Sequence, residues 1–384
     1  MGNVRIGIVG LGNMGSAHAR SILAGKIARL ELTAVCDLHE ARRAAVPGPR
    51  AFASAGAMIR SGAIDAMLIA TPHYQHTTIG VAALRAGLHV LVEKPISVHK
   101  ADCERLLAAH RNPAQVFAAM FNQRTDPFYL AIRRLVQSGE LGEIRRLHWT
   151  ITDWFRSAAY YASSDWRATW AGEGGGVLLN QCPHNLDLLQ WIFGRPRRVR
   201  AFCHFGRYHA IEVEDDVTAY LEFAGGATGV FATTTGEAPG TNRLEIAAEN
   251  GLVVYENDQI HWLRNTVPMS EFSRTSAQSF ARPKTVSSIL PVSGHGGQHN
   301  EILGNFVAAI LDGAPLIAPA AEGIHSVELA NAMLLSAWRD ETVELPLNAR
   351  TYARLLKQHI ARSTFHKPTA PAAAPEDLSQ SFGR

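Results

Sequence analysis

Apolar residues follow two different rhythms along this chain. Over the first 120 residues they come in short solid runs. Val4-Arg5-Ile6-Gly7-Ile8-Val9, Leu32-Thr33-Ala34-Val35-Cys36, Ala66-Met67-Leu68-Ile69-Ala70 and His89-Val90-Leu91-Val92 each read as a strand buried on both faces, and residues 115–119 close the series. Residues 14–29, 77–86 and 99–110 carry helical spacing between them. Buried strands alternating with helices predict a parallel sheet covered on both sides, and right-handed crossovers make it doubly wound.

After Arg124 the rhythm changes. Asp126-Pro127 reads as an N-cap with proline at the first helical position, followed by Phe128, Ile132, Leu135 and Val136 at helical spacing. Residues 144–155 alternate like a strand with one wet face. Residues 199–205, 217–223, 228–234, 244–248 and 252–256 are strands with no helix between them, which predicts an antiparallel sheet, and Asn250-Gly251 predicts a type I′ hairpin. Helices are expected at 299–311, 322–338 and 351–361. The fold class is therefore α/β: a doubly wound domain over residues 1–124, then an α+β domain with an open, mainly antiparallel sheet over 125–345. A terminal helix over 346–363 follows, and then a tail over 364–384 whose Pro368-Thr369-Ala370-Pro371 composition predicts disorder.

Composition narrows the function. At roughly 100–200 residues per domain, 384 residues suit two domains. Apolar residues at 47% and charged residues at 18% mark a globular chain. Lys and Arg number 37 against 34 acids, a net charge of +3 with no basic block, so no nucleic-acid partner is expected. No apolar run reaches the ~18 residues of a membrane span, and the chain enters a strand too early for a signal peptide. Cys36, Cys103, Cys182 and Cys203 are widely spaced and form no CxxC pair, which predicts a reduced, cytoplasmic protein.

Three segments carry chemistry. Gly10-Leu11-Gly12-Asn13-Met14-Gly15 follows the first strand and opens the first helix, and Asp37 ends the second strand 22 residues after Gly15. The glycines permit a tight turn and close approach to a pyrophosphate, the helix N-terminus offers N–H donors, and Asp37 can accept from ribose hydroxyls. Glu93-Lys94-Pro95 ends a later parallel strand, where ligand crevices lie. A lysine there can act on a substrate hydroxyl or simply cap a strand at the surface. Gly174-Gly175-Gly176 leads into a helix whose first turn carries His184, a general base or a structural histidine.

Together these segments are similar to the Gfo/Idh/MocA family of NAD(P)-dependent sugar and cyclitol oxidoreductases. The resemblance rests on residues 10–15, Ala70-Thr71-Pro72, Glu93-Lys94-Pro95, Asn122-Gln123-Arg124 and Gly174-Gly175-Gly176 through His184, and covers residues 4 to 345. It implies an N-terminal Rossmann domain and a C-terminal sheet that assembles a homo-dimer or homo-tetramer. It implies that Lys94 and His184 are the acid–base residues, with Asn180 beside them. It also implies cofactor contacts from Gly10, Gly12, Asn13, Met14, Gly15, Asp37, Thr71, Pro72, His76, Glu93, Lys94, Arg124, Trp166 and Arg167. The family usually has aspartate four residues before the histidine. Asn180 stands there instead and supplies no charge to hold Lys94 protonated; Glu93 and Asp187 are possible substitutes.

Trp149, Asp153, Trp154, Phe155, Arg156, Tyr160, Tyr161, Trp166 and Trp170 form an aromatic-rich stretch suited to a pyranose. Strand alternation buries some of them; Asp153, Trp154 and Arg156 join Lys94, Asn180 and His184 as expected substrate contacts. His295 and His299 lack further ligands, so no metal is expected. Glu214-Asp215-Asp216 is expected to cap a strand or face solvent. The cofactor expected from Asp37 is NAD, with Arg42 and Arg43 leaving NADP open. The expected activity is oxidation of a secondary hydroxyl on a sugar, glycoside or cyclitol. A redox-neutral glycosidase or lyase working through a keto-sugar, and a non-catalytic NAD-binding sensor, are the alternatives.

Overall fold

The computed structural model describes residues 2–367, built around two hydrophobic cores, each on its own sheet. The first sheet holds β1 (Val4–Val9), β2 (Leu30–Cys36), β3 (Arg50–Phe52), β4 (Ala66–Ile69), β5 (His89–Val92) and β6 (Phe117–Ala119). All pairings are parallel, in the order β3-β2-β1-β4-β5-β6. Ile6, Ile8, Met67, Leu68, Ile69, Val90 and Leu91 have no exposed surface, which is why these strands read as solid apolar runs. Chain order reverses between β1 and β4, so the carboxyl ends of these neighbours open a crevice. The first helix is shorter than its spacing suggested, Asn13–Leu23, because the chain turns through left-handed residues at Gly25 and Arg29 before β2.

The second sheet holds β7 (Ile144–Ile151), β8 (Pro196–Phe205), β9 (Glu214–Phe223), β10 (Thr228–Thr234), β11 (Asn242–Ala248), β12 (Gly251–Glu256), β13 (Gln259–Asn265), β14 (Thr285–Ile289) and β15 (Val343–Glu344). Its order is β14-β13-β12-β11-β7-β10-β9-β8-β15, antiparallel except for the parallel pair β7–β10. The hairpin between β11 and β12 is present, but Ala248 pairs with Gly251, so its two-residue loop is Glu249-Asn250 rather than Asn250-Gly251. The loop with left-handed conformations at both residues is the next one, Asn257-Asp258, between β12 and β13.

Two expectations are corrected. Residues 125–345 do not stay within the second core: the helix Gln298–Asp312 returns to the first sheet and buries Ile302, Leu303, Phe306 and Val307 in the first core. Of the two alternatives for Glu214-Asp215-Asp216, exposure to solvent is corrected and capping holds for the first two: both are fully buried, and the Asp215 carboxylate accepts from the backbone N–H groups of Arg207, Tyr208 and His209. Residues 364–367 are described, with the Lys367 ammonium donating to the Ser164 and Arg167 carbonyls; the rest of the expected tail lies outside the described residues. Among the described residues no helix is long and apolar enough to cross a membrane.

Candidate active site

The glycine turn sits at the crevice between β1 and β4. A Cβ at Gly15 would lie 1.8 Å from the Gly10 carbonyl oxygen, so only glycine lets the first helix begin this close to β1. A Cβ at Gly12 would meet nothing within 4 Å, which leaves the turn open on the crevice side. Asp37, buried at the end of β2, accepts from the Leu11 N–H at 2.8 Å and the His39 N–H at 2.9 Å. Arg42 Nη1 stands 3.7 Å from the same carboxylate, while Arg43 is tied to the Asp37 and Leu38 carbonyls. An open backbone turn at a helix N-terminus, with an acid at the next strand end, fits a dinucleotide.

Lys94 lies two residues past β5, in the same crevice. Its ammonium donates to the Asn180 carbonyl at 2.7 Å, leaving two of its three N–H groups for other acceptors. Burial pushes Lys94 below its ordinary range, assisted by Arg167 and Arg156 and opposed by Glu93 and Glu173. Glu93 pairs with His18 at 2.7 Å, and His18 meets the His299 ring edge-on at 5.5 Å. Burial disfavours the Glu93 charge, yet the His18 contact, with the charges of His299 and Lys94, outweighs it and holds Glu93 at about 2. His184 sits on the helix Pro183–Phe193, which begins just after Cys182. Burial, together with the Lys94 charge, drives His184 well below its ordinary value, so the ring is a neutral base. His184 Nδ1 is buried without a hydrogen-bond partner. A buried ring nitrogen left unpaired, within the field of a lysine, is suited to a hydroxyl partner.

The glycine run brings this helix into place. Gly176 packs so tightly that a Cβ would stand 2.0 Å from the Glu214 carbonyl oxygen, and the Glu214 carboxylate accepts from the Leu178 N–H at 3.1 Å. Burial raises Glu214 to about 7.

The expected residues divide. Gly10, Gly12, Asn13, Met14, Gly15 and Asp37 line the turn, and Thr71 and Pro72 follow β4, the neighbouring strand of the crevice. Trp154 donates to Asn185 at 3.2 Å, and the Arg156 guanidinium lies over the rings of Trp154 and Tyr160 at 5.6 and 5.1 Å. Asp153 is exposed past the end of β7. Trp166 meets His73 edge-on at 5.6 Å, and Arg167 lies 4.3 Å over the Tyr160 ring. Trp149, Tyr161 and Trp170 are core residues.

Two of the expected cofactor contacts are engaged within the chain. Both ring nitrogens of His76 lie against backbone carbonyls, those of Pro95 at 2.8 Å and Thr71 at 2.7 Å; burial keeps the ring neutral, so its one N–H donates to one of the two, and His76 sits wedged between the two strand-end loops. Arg124 is buried, with its guanidinium taken by Asp187, Glu322 and the Ile317 carbonyl, so it is a strut. That pairing also removes Asp187 as a partner for Lys94. Sequence reasoning missed Glu173, whose carboxylate accepts from the Asn180 amide. The available signal was an acid set directly before a glycine run. It also missed His18, one helical turn past Gly15, as the partner of Glu93. Among the described residues no group of three or more His, Cys, Asp or Glu is placed to hold a metal ion.

Comparison with known proteins agrees with this geometry. A model described as an oxidoreductase family with an NAD-binding Rossmann fold matches residues 4–121, and the Gfo/Idh/MocA C-terminal domain model matches residues 129–265. An inositol 2-dehydrogenase of Rhizobium meliloti is 27% identical over 343 residues, spanning 87% of this chain and 96% of its own length. The solved structure of the WlbA dehydrogenase from Chromobacterium violaceum, in complex with NADH and UDP-GlcNAcA, superposes with a TM-score of 0.78 at 27% identity, covering 90% of this chain and 97% of that one. A levoglucosan dehydrogenase in complex with NADH and L-sorbose shares the fold, with a TM-score of 0.75 at 22% identity over 90% of this chain and all of that one (100%). Matched in both halves and in this order, the chain belongs to the Gfo/Idh/MocA family of NAD-binding oxidoreductases.

Proposed function

We propose that this protein oxidises a secondary hydroxyl of a cyclitol or sugar, passing hydride to NAD. The observation that carries the reading is a part-buried Lys94 ammonium whose charge acts on a buried, neutral His184 with an unpaired Nδ1, at the carboxyl ends of the first sheet. When bound, the nicotinamide ring supplies the hydride acceptor. The chain's own residues do the rest. His184 takes the hydroxyl proton as the C–H bond breaks, and Lys94 donates a hydrogen bond to the oxygen as it gains negative charge. The carbonyl product leaves with reduced cofactor and one proton on His184, which returns to solvent. Asp37 accepts from the adenosine ribose, favours NAD and disfavours a 2′-phosphate. Trp154, Arg156 and Tyr160 offer an aromatic and cationic wall for a polyol.

Relatives named inositol 2-dehydrogenase support a cyclitol, and the nucleotide-sugar complex of the WlbA dehydrogenase supports a sugar. The test is a panel of inositols, free sugars, methyl glycosides and nucleotide sugars with NAD and NADP, read by NADH absorbance. Stoichiometric NADH with one of these is the expected result. Bond cleavage without net NADH would make the protein a redox-neutral lyase or glycosidase. Tight NAD binding without turnover of any member would make it a sensor.

A further inference from the structure

Asn180 meets Lys94 only through its backbone. The side chain is engaged elsewhere: its amide nitrogen donates to Glu173 Oε1, and its amide oxygen accepts from the Tyr160 hydroxyl and from Gln181 Nε2, each at 3.1 Å. Glu173 is 1% exposed. Its second oxygen accepts from the Ala168 N–H at 2.5 Å, and Arg167 Nη1 lies 3.9 Å from the first. Arg167 donates to the Tyr160 hydroxyl at 2.5 Å, closing a ring of Glu173, Asn180, Tyr160 and Arg167. Burial raises Glu173 above the ordinary carboxylate range, and Arg167, the Ala168 N–H, the Asn180 amide and Lys367 oppose that rise by favouring the ionised acid.

We propose that Glu173 is a positioning residue of this site: its buried carboxylate grips the Asn180 amide, holds the Asn180 carbonyl against the Lys94 ammonium, and is the negative charge set behind that cation. The proposal rests on the dehydrogenase reading, in which Lys94 must carry its proton to stabilise the developing alkoxide. The charged and titratable groups facing Lys94 are Glu93 and Glu173 of one sign, Arg167 and Arg156 of the other, and His73, His76, His184 and His299. Glu93 shares its charge with His18, whereas Glu173 is the acid on the Asn180 side. Burial drives Lys94 toward neutrality, and Glu173 works against it.

The test reads Lys94 directly. The chain has six lysines, so reductive ¹³C-dimethylation gives a simple NMR spectrum in which Lys94→Arg identifies the Lys94 signal. In Glu173→Gln the Lys94 midpoint is expected to fall by about one pH unit, a typical effect of losing one nearby charge, with Lys357 as the unmoved reference. An unmoved Lys94 midpoint in a folded Glu173→Gln protein overturns the proposal. Asn180→Asp decides the matter if that variant does not fold. Its new carboxylate would lie against Glu173, the two would share one proton, and Lys94 would move by less than about half a unit. A rise of more than about one unit would show that Glu173 was supplying no charge, and would overturn the proposal. These titrations need no substrate, so they succeed or fail separately from the dehydrogenase reading, which the polyol panel tests.

Discussion

Arg124 and Asp187 meet through two parallel hydrogen bonds of 2.7 and 2.6 Å, with both side chains 3% exposed. Arg124 follows β6 of the dinucleotide-binding sheet, and Asp187 lies one helical turn past His184. The pair fastens the helix that carries His184 to the half that carries the glycine turn. A planar, bidentate fork suits this task because it fixes orientation as well as distance.

Breaking the pair from one side leaves a buried charge unmatched. Arg124→Met is expected to cost about 3–5 kcal/mol of stability. Arg124→Met with Asp187→Leu should regain most of it, because no charge is then left buried. Thermal unfolding of the three proteins checks this. A stable single variant whose KM for NAD alone has risen would return Arg124 to the cofactor site.

His184→Ala is expected to lower kcat by roughly 10²–10⁴, the usual contribution of positioned proton transfer. Lys94→Met should cost at least as much, since it also removes charge beside the developing alkoxide. NAD affinity, measured by fluorescence titration, should change far less, because the glycine turn and Asp37 stand apart from both residues. Near-normal turnover by His184→Ala would remove the central claim of the mechanism.

The Rossmann half was legible because its strands are buried on both faces and its ligand turn is local in sequence. The second sheet was only partly legible. β14 is exposed along its whole length, Thr285–Ile289, so it carries no alternation to read, and β13 follows a turn marked by Asn257-Asp258 instead of glycine. Lys94 and His184, the pair proposed for acid–base work, could be picked out from strand-end and glycine-run motifs. The roles of Glu173, His76 and Arg124 were not, since each depends on partners brought together by tertiary folding. Glu173 reaches forward to Asn180 around the glycine run, His76 bridges two separate strand ends, and Arg124 reaches 63 residues to Asp187.

Cofactor choice should turn on Asp37. Its carboxylate is held at the end of β2 by the Leu11 and His39 N–H groups, so it cannot swing away from a ribose 2′-phosphate. Wild-type protein should favour NAD over NADP by at least about tenfold in kcat/KM, the scale of one unrelieved like-charge contact. Asp37→Ser should narrow or invert that ratio, because Arg42, 3.7 Å away and half exposed, is then free to meet the phosphate. A preference for NADP in the wild-type protein would refute this reading of Asp37.

Acid should weaken the fold in two stages, for two different reasons. Burial and the neighbouring His18 charge lower His299 from 6.5 to about 4 in the folded state. The unfolded chain therefore binds a proton that the native chain refuses, and stability declines as pH falls from 6.5 toward 4. Glu93 behaves as the paired acid: its folded value is about 2 against 4.5, so its contribution is complete above 4.5 and is lost as pH falls toward 2. The gap of 4.5 − 2 = 2.5 units corresponds to on the order of 3 kcal/mol at most. His299→Gln should flatten the first stage and shrink the second only slightly, because His18, the larger influence on Glu93, stays in place. Glu93→Gln should lower the melting temperature at neutral pH, because His18 loses its partner, and flatten the second stage. Calorimetric melting temperatures at half-unit steps from pH 7 to pH 3 would separate the two. If both variants kept the wild-type slope throughout, the acid sensitivity would have to arise outside the His18–Glu93–His299 cluster.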